Sequence, residues 1–336
     1  MKSLQFFGER DVRFVDALFP EPEKGEVLIR VAYAGICGSD LHIYHRGMFI
    51  RHIPEIMGHE FVGVIEKCGE GVSGFSKGDV VTANPMVPCG HCLSCRMGRH
   101  NTCEDLGFIG EVRPGCFAEF MALDASTIVK IADASRGMTQ DRIRKYVLTE
   151  PLAVALNVLE RAHFAKEDRI VIFGAGPIGC LTAALAKQYY QIKDVTVVDL
   201  APERLRMAKK LGADRAVTDE KELDFGYAGT VDCAGAGATI RMALSHVAPG
   251  GKVCIVSIFE KETGIDCNDI VNKELRIIGC NAYRDEYIAK AAEILAQRKV
   301  SVEELITDEY DLKDGKEAFA YLDGPEKRAE KVVFRM

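Results

Sequence analysis

Residues 169–179 read RIVIFGAGPIG and residues 195–200 read VTVVDL. The first stretch is an apolar strand that runs into Gly174, Gly176 and Gly179, a G-x-G-x-x-G pattern at the point where a helix should open. Gly174 allows the tight turn, Gly176 lets backbone approach a pyrophosphate, and Gly179 lets helix and strand pack closely. Pro177 and Ile178 complete the turn. The second stretch ends its strand on Asp199, about twenty residues on, where an acid hydrogen-bonds a ribose hydroxyl and repels a 2′-phosphate. A dinucleotide site follows, with NAD favoured over NADP, although Arg204 is near enough in sequence to assist a phosphate.

Working outward, short β runs alternate with helical stretches at Arg169–Phe173, Val195–Asp199, Arg215–Val217, Thr230–Cys233, Lys252–Ser257 and Leu275–Ile278. That alternation predicts an α/β fold with a parallel sheet. GCLTAALAKQYYQ and PERLRMAKKLG read as crossover helices, the second stopped by Gly212. From Gly25 to about Leu123 the texture differs: EVLIRVAYAG, EFVGVIEKCGEGV, GDVVTANP and CFAEFMAL are apolar runs cut by glycine, a β-rich segment. Gln140–Phe164 carries a helical pattern. Beyond Gly279 the chain reads helix (Asp285–Gln297), strand (Thr307–Tyr310), helix (Leu312–Leu322) and a last strand, KVVFRM. The predicted division is 1–150, completed by about 281–336, and 151–280.

Composition removes several classes. The chain has 336 residues, 48% hydrophobic and 28% charged, so a disordered chain is excluded. Lys and Arg number 43 against 50 Asp and Glu, a net charge of −7, which argues against a nucleic-acid surface. The longest uncharged run, Ile170–Ala186, contains Gly174, Gly176, Pro177 and Gly179 and reads as strand, turn and helix, so no membrane span is expected. The opening MKSLQFFGERDVRF lacks the apolar core of a signal peptide. A reducing cytoplasm is the expected location. Twelve cysteines are then metal ligands, reactive groups or small core residues before they are disulfides.

Four of the twelve, Cys89, Cys92, Cys95 and Cys103, lie in PCGHCLSCRMGRHNTC. Gaps of two residues turn three sulfurs inward and the fourth completes a tetrahedron, the ligand set of a closed structural zinc site. An iron–sulfur cluster is the rival metal. A second set is dispersed: Cys37 in GICGSDLH, His59 and Glu60 in MGHEFVG, and Glu150 in TEPLAVAL. Cys, His and carboxylate are the ligand types of catalytic zinc, which keeps a position for water or substrate. Singly, each is better read as a core thiol, a bonded histidine beside a surface acid, or a helix-start acid; together they are the ligand types of a zinc site.

In this order, GICGSDLH, GHEFVGVI, the four-cysteine loop, CFAEF, EPLAVAL, GAGPIG and VVD resemble the zinc-containing medium-chain dehydrogenases, particularly the polyol, sorbitol and threonine dehydrogenase branch. The resemblance covers essentially the whole chain. It implies a GroES-like catalytic domain, a Rossmann doubly wound domain, a tail returning to the first, and an active site between them. It further implies Cys37, His59 and Glu60 as catalytic zinc ligands, with Glu150 an alternative ligand or partner of the zinc water. Ser39 becomes the hydroxyl that takes the substrate proton and His42 the outer relay. The implied reaction is zinc- and NAD-dependent oxidation of a secondary alcohol of a polyol, sugar acid or cyclitol, in a homodimer or homotetramer.

Asn157 departs from the branch, which has histidine after EPLAVAL; Gly115-Cys116 replaces a double glycine, and 134–145 is more polar than usual. These changes bear on the substrate. Tyr44, Phe49, Tyr283 and Arg284 read either as pocket lining or as ordinary packing and surface. Three competing functions are a threonine-type amino alcohol dehydrogenase, whose substrate ammonium needs an acid beyond the zinc ligands, a non-catalytic NAD-binding regulator, and a thiol redox sensor. The remaining cysteines, such as Cys254 and Cys280, read as small apolar residues.

Overall fold

The computed structural model describes residues 1–134, 137–324 and 330–336; Ser135 and Arg136, part of the polar stretch 134–145, lie outside them. The chain opens with a hairpin, β1 (Lys2–Gly8) and β2 (Asp11–Asp16), and continues through β3 (Glu26–Gly35), α1 (Gly38–Arg46), β4 (Glu55–Ile56), β5 (Glu60–Cys68), β6 (Val80–Ala83), β7 (Met86–Val87), α2 (Leu93–Arg96), β8 (Gly107–Phe108), β9 (Phe120–Asp124) and β10 (Ile128–Ala132). The expected single helix over 140–164 is broken into α3 (Gln140–Arg144), a 3₁₀ turn at Lys145–Leu148 and α4 (Thr149–Ala162). Pro151 falls in the first turn of α4, where its missing N–H costs no helical hydrogen bond.

The next segment alternates strand and helix: β11 (Arg169–Phe173), α5 (Pro177–Ala184), β12 (Asp194–Val198), α6 (Pro202–Lys210), β13 (Arg215–Val217), β14 (Tyr227–Asp232), α7 (Gly237–His246), β15 (Val247–Ile255), α8 (Cys267–Asn272) and β16 (Arg276–Gly279). Its six strands pair in the order β13-β12-β11-β14-β15-β16, all parallel. This is the doubly wound dinucleotide-binding order, with β11 at the point where the order reverses. One helix and one strand differ from expectation. The crossover helix after β11 ends at Ala184 and gives way to a π-helical turn, Leu185–Tyr189. Strand β15 starts earlier than expected because it takes in Pro249, Gly250 and Gly251, which read as a break; a register shift against β14 absorbs them.

The tail is α9 (Glu286–Ala296), β17 (Ile306–Asp311), α10 (Gly315–Asp323) and β18 (Lys331–Arg335). One compact unit comprises Met1–Glu150, Arg284–Ala296 and Ile306–Met336; the other comprises Pro151–Tyr283 and Gln297–Leu305. In the first, strands pair in the order β10-β6-β5-β3-β18-β17, with β9 also on β3. Its core gathers Leu4, Ile29, Met57, Phe61, Phe117, Phe319 and Phe334. Phe117 meets Phe334 edge-on, ring centres 5.0 Å apart. In the second unit Val171, Phe173, Tyr227 and Val253 fill the space between sheet and α7. Among the described residues no helix is long and apolar enough to cross a membrane.

Gly58 has φ +90°, and a Cβ there would overlap the Phe117 ring. Both the left-handed backbone and the lost space penalise a side chain. Gly58→Ala should therefore cost about 2 kcal/mol or more, read as a lowered thermal unfolding midpoint of the first unit.

Candidate metal centres and cofactor site

The four-cysteine loop is the simpler centre. Cys92 is the N-cap of α2, and the loop's amides turn toward sulfur: Cys89 N–H and Asp105 N–H donate to Cys103 Sγ (3.2 and 3.3 Å), Cys92 N–H to Cys89 Sγ (3.4 Å) and Cys95 N–H to Cys92 Sγ (3.5 Å). Sulfurs stand 3.5 Å apart for Cys92 and Cys95, and 3.9 Å for Cys89 with Cys95 and for Cys92 with Cys103. A tetrahedral ion with Zn–S bonds of about 2.3 Å requires sulfur–sulfur edges of about 3.8 Å. The loop therefore suits one ion; an iron–sulfur cluster, whose cysteines bind different irons, needs a wider set. Amides of Glu104 and Cys95 draw the Cys92 thiol down to about 6, whereas burial and the neighbouring sulfurs push Cys95 up to about 12. So close a set of thiols cannot all ionise without a cation among them.

The second centre is assembled by strand pairing. In the β3–β5 ladder Gly35 lies opposite Glu60. Cys37 follows two residues after Gly35 and caps α1, while His59 immediately precedes Glu60, so the ladder brings together residues far apart in sequence. One ligand atom from each of Cys37, His59 and Glu60 lies within 4.8 Å of the others. A Cβ on Gly35 would overlap Glu60 Oε2, which explains glycine at that position. His59 Nδ1 is buried with no hydrogen-bond partner among the described residues. Burial disfavours a charged His59 ring, but Cys37, Asp40 and Glu150 outweigh it and raise its pKa well above 6.5. A cation here exchanges for that proton. The donor set of thiol, imidazole and carboxylate fits a zinc ion that keeps an open position.

Glu150, in the first turn of α4, is buried and stands outside that triple, although His59 and Lys331 both feel its charge. Ser39, in the first turn of α1, holds its Oγ buried with no hydrogen-bond partner among the described residues. His42 follows three residues later on the same helix, hence on the same face. Tyr44 belongs to the core, packed on Phe319 at 5.2 Å, and Tyr283 is buried, while Phe49 and Arg284 are exposed. Asn157, fully buried, donates from Nδ2 to Ala282 O at 2.9 Å and so holds a residue with φ +41°.

Three buried groups at this centre escaped the sequence reading. Lys331 Nζ donates to Glu60 Oε1 (2.8 Å), Glu60 Oε2 (2.6 Å) and Ile36 O (3.0 Å), with both side chains almost fully buried. Nothing in a lysine opening the last strand marks it as a partner of residue 60. Asp40 accepts the Cys37 N–H at 2.7 Å, and burial pushes its carboxyl up to about 6. It occupies the third position of α1, where an acid returning to the N-cap amide is a recognisable capping signal. Glu111 is buried on the turn after β8, and burial raises its pKa.

In the second unit, Gly174 has φ +98°, and a Cβ on Gly179 would overlap Gly174 O, so both glycines are required by the turn. A Cβ on Gly176 would meet nothing within 4 Å, which leaves its face open to a ligand. Gly176 is the N-cap of α5, Pro177 its first residue, and Ile178 O accepts from Thr182 Oγ1. Asp199 accepts the amides of Ala175 (2.7 Å) and Ala201 (2.8 Å), which fixes its carboxylate beside the glycine turn. Arg204 Nη1 lies 4.0 Å from Asp199 Oδ2.

Comparison with known proteins agrees with this architecture. Residues 23–133 match the alcohol dehydrogenase GroES-like domain, and residues 177–297 match the zinc-binding dehydrogenase domain. The chain belongs to the zinc-binding medium-chain alcohol dehydrogenase family, in its polyol and threonine branch. It is 31% identical to a sorbitol dehydrogenase of Bacillus subtilis, over 95% of this chain and 92% of that protein. It is 32% identical to an L-threonine 3-dehydrogenase of Alteromonas mediterranea, over 83% and 84%. The rspB alcohol dehydrogenase of Escherichia coli, solved with NADH, superposes with TM-score 0.90 at 29% identity, covering 100% of this chain and 99% of that one. A zinc-binding dehydrogenase of Sinorhizobium meliloti bound to NADP does so with TM-score 0.92 at 25%, covering 100% and 99%.

Two predictions follow from the metal chemistry. Elemental analysis should find two zinc ions per chain; Cys95→Ser should lose one and melt earlier, whereas Cys37→Ala should lose the other with the loop's zinc retained. Lys331→Met strands the buried Glu60 carboxylate and should destabilise the protein by about 3 kcal/mol in denaturant unfolding, a loss that Lys331→Met with Glu60→Gln partly restores.

Proposed function

We propose that the protein is a zinc- and NAD-dependent dehydrogenase that interconverts a secondary alcohol of a polyol, sugar acid or cyclitol with its ketone. The observation that carries this reading is the convergence of Cys37, His59 and Glu60, with the Ser39 hydroxyl, two residues after Cys37, buried and without a hydrogen-bond partner among the described residues. A binding module has no use for that set. Cys37, His59 and Glu60 would hold the catalytic zinc, with Glu150 beside them, and Cys89, Cys92, Cys95 and Cys103 the structural zinc. When bound, catalytic zinc supplies the Lewis acidity that lowers the pKa of an alcohol.

The chain's own groups do the rest. Ser39 Oγ accepts the alcohol proton, and the His42 imidazole, on the same face of α1, passes it outward. Lys331 Nζ contacts both Glu60 oxygens and offsets the cost of burying that carboxylate. The open backbone at Gly176 and the N-terminus of α5 receive the pyrophosphate. Asp199 receives the ribose hydroxyls and, as an anion, opposes a 2′-phosphate; Arg204 is already drawn toward it. When bound, the nicotinamide would supply the hydride acceptor.

The assembly in this reading is a homodimer or homotetramer. Strand β16 ends the parallel sheet with an edge unpaired among the described residues and an exposed Ile277, features that edge pairing with a second copy would cover. Nucleic acid and membrane are not partners in this reading. A reducing cytoplasm suits a chain whose twelve cysteines are all free thiols.

The test is NADH formation across a panel of polyols, cyclitols and hydroxy acids. NAD should exceed NADP by tenfold or more in kcat/KM, and Asp199→Ser should narrow that gap. Cys37→Ala should abolish turnover while leaving NAD affinity intact. No turnover on any panel member by zinc-replete, NAD-binding protein would refute the reading.

A further inference from the structure

We propose that Glu111 is a substrate-selecting carboxylate: it receives a hydrogen-bond donor carried by the substrate, a hydroxyl or an ammonium, and turns away a carboxylate or phosphate. The inference rests on the dehydrogenase reading above and narrows its substrate class.

The backbone that carries Glu111 is anchored to the strand end bearing His59. Gly115 N–H donates to Ile56 O, and Cys116 N–H to Gly58 O. A Cβ on Gly110 would strike Gly58 backbone, so the loop can lie this close only with glycine there. Glu111 N–H bonds Phe108 O, and its carbonyl accepts Arg51 N–H. The Phe108 ring lies 5.8 Å from the His59 ring. Residue 111 is thus held at a set place relative to the metal-ligand triple.

Its side chain is 7% exposed, and among the described residues no Lys or Arg forms an ion pair with it. It feels the charges of His59 and Asp40, in keeping with the anchoring of its loop to the strand end that bears His59, and the backbone amide of Phe108 supports it. A carboxylate offers about four acceptor positions, so one amide leaves most of them unmet. Burying such a group is costly, and among the described residues it caps no helix and ties no strands. Asp40, Glu60 and Glu150 are also acids of this centre, and the nearby Lys331 is already paired with Glu60. A ligand that donates a hydrogen bond satisfies Glu111, whereas an anion brought beside it meets an uncompensated like charge.

The experiment compares wild type, Glu111→Gln and Glu111→Asp as zinc-loaded enzyme with NAD on butane-2,3-diol, 3-aminobutan-2-ol and 3-hydroxybutanoate. Wild type should favour the two donors over the acid. In Glu111→Gln the acid should gain about 10- to 100-fold in kcat/KM relative to the diol, and the amino alcohol should lose at least about tenfold, chiefly through KM. Glu111→Asp, which keeps the charge, should retain the wild-type order. An amino alcohol preferred over the diol, with a preference that weakens at high salt, identifies ammonium as the natural donor; the reverse identifies hydroxyl.

Zinc content and NAD affinity are measured alongside and should be equal in all three proteins. Turnover with the same selectivity in wild type and Glu111→Gln overturns the proposal and leaves the dehydrogenase reading standing. If wild type turns over none of the three, calorimetric titration of each compound reads selectivity directly. Equal affinities in the two proteins then overturn the proposal, and absence of any binding overturns it together with the functional reading.

Discussion

The pairing of Gly35 with Glu60 across β3 and β5 is the constraint on which the candidate catalytic centre depends. It sets Cys37 and His59 beside the same carboxylate and leaves glycine as the side chain that makes room for Glu60. Because side chains in a strand alternate faces, a slip of one residue would turn Glu60 away from Cys37 and dismantle the triple. The register is secured by the apolar inward face of β3, whose Val27, Ile29 and Val31 are all buried. Hydrophobic burial, which is strong and non-directional, is thereby converted into placement of a few polar atoms.

Placement alone would leave a charge problem, since Glu60, Glu150 and Asp40 are all buried near one another. The last strand answers part of it. Strand β18 pairs with β3 and carries Lys331 to Glu60, so the C-terminal end of the chain completes a centre begun near its N-terminus. Asp40 serves differently, holding the amide of Cys37 at the start of α1. Glu111 remains the acid with no such structural duty, which is why its function is sought in the substrate. The four-cysteine loop has its own economy: it holds little apolar core beyond Leu106, and the ion would serve as that core.

The dinucleotide fingerprint was legible because its chemistry is local. The strand, the three glycines and Asp199 act within one βαβ unit; Gly174 and Gly179 have a steric reason that the backbone geometry repeats, and Gly176 leaves its face open. The same holds for Cys89, Cys92, Cys95 and Cys103, whose spacing alone brings sulfurs to single-ion distances. Helix boundaries were less legible. The break between α3 and α4 and the π-helical turn after α5 leave no clear mark in periodicity, because tertiary packing overrides propensity.

What the sequence by itself determined is therefore what short-range geometry controls: the parallel sheet with its glycine turn, the acid at the end of the next strand, the closely spaced cysteine set that suits a structural zinc, and the ligand types of a candidate catalytic one. Only the tertiary structure decided which distant residues share a space. It united Cys37 with His59 and Glu60, set Glu150 outside that triple, returned Lys331 to Glu60, removed Tyr44 to the core, gave Asn157 the carbonyl of Ala282, and brought Glu111 close to His59. The physical reason is that strand register and chain return act over tens to hundreds of residues, a range over which sequence spacing carries no distance information.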